Sequence, residues 1–169
     1  MRSRLALALA LVVGAAGLAG CGFTPLYGQP GVTSNLAAID VVAPEGRTGF
    51  LIRQHLDDAL GRNRAGPATY RMELGLGEAR YPRGIRVDNV ATRYEYVLEA
   101  NYALFSTATN AVAKRGQVRV ELTYDSADQP YASIAAQQDA QDRAAAEAAR
   151  RIQMELAVWL ANGATPARS

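Results

Sequence analysis

Few residues in this chain of 169 belong to the types that carry covalent or metal chemistry. There is one cysteine, Cys21, and one histidine, His55. A Ser-His-Asp arrangement would have to use His55, which lies inside a predicted helix with no nucleophile motif nearby. A zinc site needs three or four clustered ligands, more than these two residues supply. The sequence therefore predicts no catalytic centre, no metal site and no cofactor, and it leaves the role of Cys21 to be explained.

Cys21 follows a segment that has the pattern of a secretory signal peptide. Two arginines precede an almost continuously apolar run over residues 5–18, and the small residues Ala19 and Gly20 end it, an order that is typical of a cleaved leader. The run is shorter than the roughly 20 apolar residues that a membrane-spanning helix needs. We therefore predict a signal peptide over residues 1–20, with an uncleaved N-terminal membrane helix as the alternative.

The four residues 18–21, LAGC, resemble the bacterial lipobox. In proteins with that signal the cysteine thiol receives a diacylglycerol, and cleavage leaves the cysteine as the first mature residue. The resemblance therefore implies that Cys21 is a lipid attachment site. Two or more acyl chains there would hold the protein stably on a bilayer. The next residue is Gly22 rather than aspartate, which by the enterobacterial sorting rule implies the outer membrane, on its periplasmic side. An ordinary buried cysteine is the alternative interpretation of Cys21.

The remaining chain is long enough for one domain. Residues 21–35 contain three glycines and two prolines, which predicts an extended tether behind the cysteine. Residues 36–163 carry periodic apolar patterns and form the predicted domain, and residues 164–169 form a disordered tail. Without the two leader arginines the formal net charge of +2 falls to zero, so the composition does not point to nucleic acid as a partner.

Apolar spacing predicts the elements of that domain. Apolar residues recur at two-residue steps, as in strands that place one face on a core, in four segments: 39–42, 70–76, 94–104 and 118–124. Two segments, 48–60 and 144–160, show the three- and four-residue steps of helices, with Thr48 as a predicted N-cap and Gly61 as a predicted stop. This order predicts an α+β fold, a two-layer sandwich in which two helices pack on one face of a mostly antiparallel four-stranded sheet (β-α-β-β-β-α). The opposite, charged face is then free to meet water or a partner.

Arginines cluster in the predicted connection between the first two strands of the antiparallel set. Arg83, Arg86 and Arg93 lie there, close to Arg80. Because guanidinium groups bind phosphates through two parallel hydrogen bonds, these three are candidate ligand-binding residues for an anionic glycolipid or an acidic partner surface. A soluble hairpin loop is the alternative. Three more basic residues extend the patch if the sheet order brings them alongside: Lys114, Arg115 and Arg119.

Two segments resemble a known protein family. The predicted mature start CGFTPLYG, residues 21–28, closely resembles that of the LptE-like lipopolysaccharide-assembly lipoproteins, especially proteobacterial ones. The segment YASIAAQQDAQDRAA, residues 131–145, and the order of strands and helices are also similar to that family. The resemblance spans nearly the whole mature chain.

The resemblance implies a structural and interaction protein. LptE-like proteins lie inside the LptD β-barrel of the outer membrane, where they act as a plug, assist barrel assembly and in some members bind lipopolysaccharide through basic residues. The implied partners are therefore an LptD-type barrel, lipopolysaccharide and the membrane that holds the lipid anchor, with no nucleic acid and no catalysis. Cys21 carries over from the family. Its basic residues do not match one by one, so Arg83, Arg86 and Arg93 remain charge candidates only.

Two other functions stay open on the sequence alone. One is a lipid-binding auxiliary lipoprotein of another envelope transport system, which would bind lipid without any barrel. The other is a periplasmic hydrolase that depends on His55.

We expect Cys21→Ala to abolish both lipidation and leader cleavage, because the thiol is the acceptor that the processing pathway requires. Intact-mass spectrometry of the chain purified from its native host measures both events, and Gly22→Ala is the control that keeps the lipid. A wild-type chain with an unmodified thiol or an uncut leader would contradict this prediction.

Overall fold

The computed structural model describes residues 31–85, 87, 91–126 and 129–163. The predicted leader, Cys21, the tether up to residue 30, Arg86 and the tail over 164–169 lie outside these residues. The elements follow in chain order: α1 Val32–Ala37, β1 Ile39–Val42, α2 Arg47–Leu60, β2 Tyr70–Ile85, β3 Ala91–Ser106, β4 Val112–Asp125 and α3 Pro130–Ala161.

The four strands form one sheet in the order β1-β2-β3-β4. β2, β3 and β4 are antiparallel neighbours, whereas β1 pairs parallel to β2. The parallel pair arises because the chain crosses back through α2 between the two strands. The predicted α+β class, with α2 and α3 on one face of the sheet, is confirmed, and the sheet is mixed rather than purely antiparallel.

The predicted tether extends too far into the chain. Residues 32–35 belong to α1, whose Val32 and Leu36 are buried in the main core. These two side chains lie four residues apart and therefore on the same side of the helix. The helix starts at Gly31, which has a φ of 88°, a value that glycine adopts at little cost. The glycines and prolines of the tether masked this short apolar pattern.

The predicted arginine-rich connection is also wrong, because most of it is strand. β2 continues through Pro82 to Ile85, and β3 begins at Ala91. A proline is tolerated in a strand when its missing N–H would point to an unpaired edge, and β1 ends well before this position. Arg83 and Arg93 therefore lie opposite each other on paired strands.

The predicted strand faces are confirmed. Even-numbered residues of β3 point towards the helices, and Leu98, Ala100 and Leu104 are fully buried there. The side of α3 that faces the core is dominated by alanine, so the helix lies close to the sheet. Its buried residues are Ala140, Ala144, Ala145, Ala148, Ala149, Ile152, Leu156 and Ala157.

Of the two predicted ends of α2, only the C-terminal one is confirmed. Gly61 ends the helix in the left-handed conformation, as predicted. Thr48 is not the N-cap, because the helix begins at Arg47 and Thr48 is buried in its first turn. Gly49 allows this close start, since a Cβ there would lie 1.9 Å from the carbonyl oxygen of Pro44.

Tyr102 ties α3 to the sheet. Its ring passes over Gly116 on the neighbouring strand, and its hydroxyl donates a hydrogen bond of 2.6 Å to Glu155 of α3. Burial, and then the adjacent Glu155 carboxylate, raise the pKa of the Tyr102 phenol well above its usual range. The phenol therefore stays protonated and keeps donating to the carboxylate.

We expect Gly116→Ala to destabilise the fold by about 1–3 kcal/mol, the usual cost of overpacking. A Cβ at this position would lie 2.3 Å from Cζ of Tyr102, so the ring would have to move away from Glu155. Gly75→Ala is the matched control, because a Cβ there has no heavy atom within 4 Å. Urea unfolding measures both free energies of unfolding, and equal losses for the two variants would contradict the prediction.

Candidate functional site

The outer face of the sheet, which no described helix covers, carries charges of both signs. It consists of the odd-numbered side chains of β2, β3 and β4. Five arginines and five acidic residues lie on it: Arg71, Arg83, Arg93, Arg115, Arg119, Glu73, Glu95, Glu99, Glu121 and Asp125. The described part of this face is therefore charge-balanced rather than basic.

Two of the three candidate arginines are paired with acids on this face. Arg83 donates two hydrogen bonds to Glu95, one of them from Nε at 2.7 Å. Arg93 donates from Nε to Asp125 at 2.8 Å. Both arginine side chains are 58% exposed, and exposed pairs of this kind stabilise a fold only weakly. Both pairs can open to another anion at little cost.

The predicted arginine patch is divided between the two sides of the sheet. Arg80 lies on the helix side, where its Nη1 donates to Gln137 at 2.8 Å and its guanidinium stacks 4.8 Å from the ring centre of Tyr94. Arg83 and Arg93 lie on the outer side. Arg86, the third candidate, lies outside the described residues.

The basic residues of the next strand do not extend the patch. Arg115 pairs in register with Ala103, whereas Arg93 lies ten positions further back along β3, about 33 Å away. Arg119, between them, bonds to Glu99 and Glu121, and these carboxylates raise its pKa. The sheet register thus separates the charges that the sequence suggested might act together.

A shallow depression of about 600 Å³ lies on the outer face near Arg115. Gly75, Asn101, Ala103 and Glu73 are among the residues that line it. It exists because small residues occupy neighbouring outward positions on β2 and β3. The sequence GLG at residues 75–77, which places glycines on one face of β2, was the signal that could have predicted this depression.

A second depression, which we call the α3–β4 groove, was not predicted. It measures about 500 Å³ and is lined by Lys114, Arg151, Met154, Glu155 and Val158. Met154 and Val158 are large exposed apolar residues in the groove. They lie four residues apart, outside the set of buried residues of α3. That spacing was the signal in the sequence that could have predicted an apolar groove.

Arg151 fixes one wall of the α3–β4 groove. Its Nη1 donates to the carbonyl oxygen of Arg119 at 2.9 Å, on the unpaired edge of β4. Its Nε donates to Glu147 at 2.7 Å. Arg151 first, and Arg150 second, lower the pKa of the Glu147 carboxyl. Because two arginines face one carboxylate, this cluster carries more positive than negative charge.

His55 joins the two long helices. Its Nε2 lies 2.9 Å from Oδ1 of Asp142 on α3. Among the described residues there is no group of three or more histidine, cysteine, aspartate or glutamate side chains that fits a metal ion. Within the same residues, no helix is both long and apolar enough to cross a membrane. The surface offers depressions and ion pairs suited to binding.

The comparisons with known proteins identify the family. A model described as "LptE: Lipopolysaccharide-assembly" matches residues 36–156. This chain belongs to the LptE family. A solved lipoprotein structure from Caulobacter crescentus CB15 is 52% identical to this LptE-family chain, with a TM-score of 0.69, and the match covers 81% of this chain and 99% of that one.

Two more distant structures share the fold. Rare lipoprotein B from Shewanella oneidensis is 14% identical, with a TM-score of 0.56 over 73% of this chain and 95% of its own. Lipoprotein B from Nitrosomonas europaea is 16% identical, with the same TM-score over 74% of this chain and 84% of its own. No curated protein sequence matches the LptE-family chain significantly.

We expect Arg83→Gln and Arg93→Gln to change the free energy of unfolding by less than about 1 kcal/mol each, because both ion pairs are exposed. Arg62→Gln is the control, since the Arg62 side chain is only 9% exposed and bonds to the Ala37 carbonyl. Arg62→Gln should lower the free energy of unfolding by about 1–3 kcal/mol. Urea unfolding checks all three variants. A loss above 2 kcal/mol (roughly thirtyfold in the equilibrium) at Arg83 or Arg93 would assign that residue to the fold instead of to binding.

Proposed function

We propose that this chain is an outer-membrane lipoprotein, anchored through Cys21 on the periplasmic side, that binds and plugs an LptD-type β-barrel. In this role it assists barrel assembly and the delivery of lipopolysaccharide to the outer membrane, without catalysis. The balanced charge of the outer sheet face is the observation that carries the proposal. The lumen of a large barrel is polar, and a face of paired positive and negative charges suits such a wall better than a basic or apolar face does.

The shape of the domain supports the same role. The chain enters the fold beside the start of β2, where Ala38 accepts a hydrogen bond from the amide of Thr69. The β3–β4 connection lies at the same end, since the Thr107 amide donates to the Thr69 carbonyl. Thirteen residues of strand separate Tyr70 from Arg83, which is about 40 Å. A lipid at one end leaves the other end far enough away to reach through a bilayer core of about 30 Å.

Arg83, Arg86 and Arg93 stand as the proposed contacts to lipopolysaccharide phosphates. Of these, Arg83 and Arg93 lie at the end of the sheet opposite to Tyr70. Because Glu95 and Asp125 already occupy two of them, a phosphate has to displace or share these carboxylates. We therefore assign them a weak, exchangeable contact along a transport route.

The α3–β4 groove favours a second candidate, a lipid-binding auxiliary lipoprotein of another envelope system. Met154 and Val158 supply apolar surface, and Lys114 supplies positive charge, beside each other. An anionic amphiphile needs both. This candidate predicts binding of lipopolysaccharide or phospholipid by the purified chain in the absence of any barrel.

We expect the intact lipoprotein, extracted from its native host in mild detergent, to co-purify with a large β-barrel identified by mass. Arg119→Glu should reduce the barrel recovered by about fivefold, because it places like charge beside Glu99 and Glu121 on the outer face. Arg143→Glu is the matched control, an exposed arginine that is paired with Asp139 on the helix side. Recovery of a free monomer, with the barrel assembling normally in its absence, would overturn the proposed function.

A further inference from the structure

The depression on the outer sheet face, with a volume of about 600 Å³, spans two adjacent rows of the strand register. Six of the residues that line it make up these rows: Glu73, Ala103 and Arg115 in one, and Gly75, Asn101 and Gln117 in the next. Their side chains point to the same face, because the two rows are two residues apart on every strand. Glycine and alanine therefore leave space between longer side chains.

Three polar side chains border this space without a partner inside the chain. Arg115 and Gln117 lie two residues apart on β4, about 6.8 Å, and Asn101 lies opposite Gln117 on β3. Within residues 31–85, 87, 91–126 and 129–163, none of these three side chains forms a hydrogen bond or an ion pair. A guanidinium and two amide groups thus lie around one depression with their N–H groups unused.

The other arginines of the described outer face differ from Arg115, because each of them is bonded to an acid. The four pairings are Arg71 with Glu73, Arg83 with Glu95, Arg93 with Asp125, and Arg119 with both Glu99 and Glu121. Since Arg119 takes two carboxylates, four arginines use all five acids of this face. The charges therefore balance in sum, but Arg115 is left without a carboxylate.

We propose that the depression receives the side chain of an aspartate or glutamate from the protein that packs against the outer face. The inference rests on the proposed function, under which that protein is the barrel and the acidic side chain points inward from its wall. A carboxylate accepts two parallel hydrogen bonds from the Arg115 guanidinium. Its remaining lone pairs accept hydrogen bonds from the amide groups of Asn101 and Gln117. Arg115 thereby gains the kind of partner that every other described arginine of this face has.

A phosphate group of lipopolysaccharide suits the depression less well than a carboxylate does. Glu73 lines the depression, and Glu99 lies opposite Gly77, one row beyond Gly75. Both glutamates repel an anion, and the repulsion grows with the charge of that anion. A carboxylate carries one negative charge, whereas a phosphate monoester carries more than one at neutral pH. Arg115 alone balances the first and not the second.

Filling the depression tests whether the partner enters it. Gly75→Val adds three carbon atoms to the space, and Gly77→Val is the matched control on the same face of β2, outside the lining of the depression. A Cβ has room at both positions, with no heavy atom within 4 Å at Gly75 and the nearest one 3.8 Å away at Gly77. The barrel recovered with the full-length lipoprotein in mild detergent should fall about fivefold for Gly75→Val only. Equal recovery for the two variants would refute the proposal.

An arginine pair gives the same test without added bulk, and it decides if Gly75→Val does not fold. Arg115→Gln removes the charge and keeps an amide donor, so we expect it to lower the recovered barrel by about fivefold. Arg53→Gln is the control, since Arg53 is an exposed arginine of α2 that also has no bonded acid in the described part of the chain. Equal losses for the two variants would show an effect of net charge and would overturn the proposal.

Photo-crosslinking in the native host identifies the occupant. The full-length lipoprotein carries p-benzoylphenylalanine in place of Gly77, beside the depression, or in place of Thr123 as control, an exposed residue of the same face on β4. The peptide crosslinked through position 77 should contain an aspartate or glutamate and differ from any peptide crosslinked through position 123. Crosslinks to lipopolysaccharide, to a second copy or to a peptide without an acid would each overturn the proposal.

Charge reversal then tests the contact itself. Arg115→Glu should lower the recovered barrel, and arginine in place of the acid in the crosslinked peptide should restore most of it, as expected for two residues in direct contact. A double variant no better than Arg115→Glu alone would contradict a direct contact.

The outcome is separable from that of the proposed function. A barrel recovered equally with Arg115→Gln, Gly75→Val and the wild-type chain would refute the carboxylate contact and leave the plug. A crosslinked acidic segment from a protein that is not a barrel, with no barrel recovered, would refute the plug and leave the contact.

Discussion

The covered face of the sheet depends on the close approach of α3 to β3 and β4. Six of the eight buried residues of α3 are alanines, which let the helix lie close to the large side chains of the strands. Its length of about 48 Å nearly equals the roughly 53 Å of a 16-residue strand. Tyr102 uses the space over Gly116 to reach Glu155. One helix therefore covers the sheet from end to end, and α1, β1 and α2 complete the core beside it.

This one-sided arrangement decides which surfaces remain for partners. No described helix or strand covers the outer sheet face, and its ten charges balance in the described residues. The α3–β4 groove lies beside the helix. This member of a lipopolysaccharide-assembly family thus offers a polar face and a small apolar groove, each suited to a different contact.

Sequence periodicity predicted the parts of the fold that depend on burial. The alternation in β3 and β4, the stop at Gly61 and the two-layer packing follow from which residues must leave water. The predictions that were wrong concern parts of the fold that depend on contacts between residues far apart in the sequence. The extension of β2 through Pro82 depends on where β1 ends, and α1 is held by contacts of Val32 and Leu36 with helices far along the chain. The pairing of Arg93 with Asp125 joins residues 32 positions apart, which no local pattern reveals.

Native-state hydrogen exchange of α3 tests the organising role of this helix most directly. If α3 holds the sheet, the amides of Ala144 to Ala157 exchange only when the whole domain unfolds, with the same free energy as those of β3. The amides near Ile134, in the first turns of α3, exchange faster. Exchange of the Ala144–Ala157 amides through a local opening, while β2, β3 and β4 stay protected, would contradict the account.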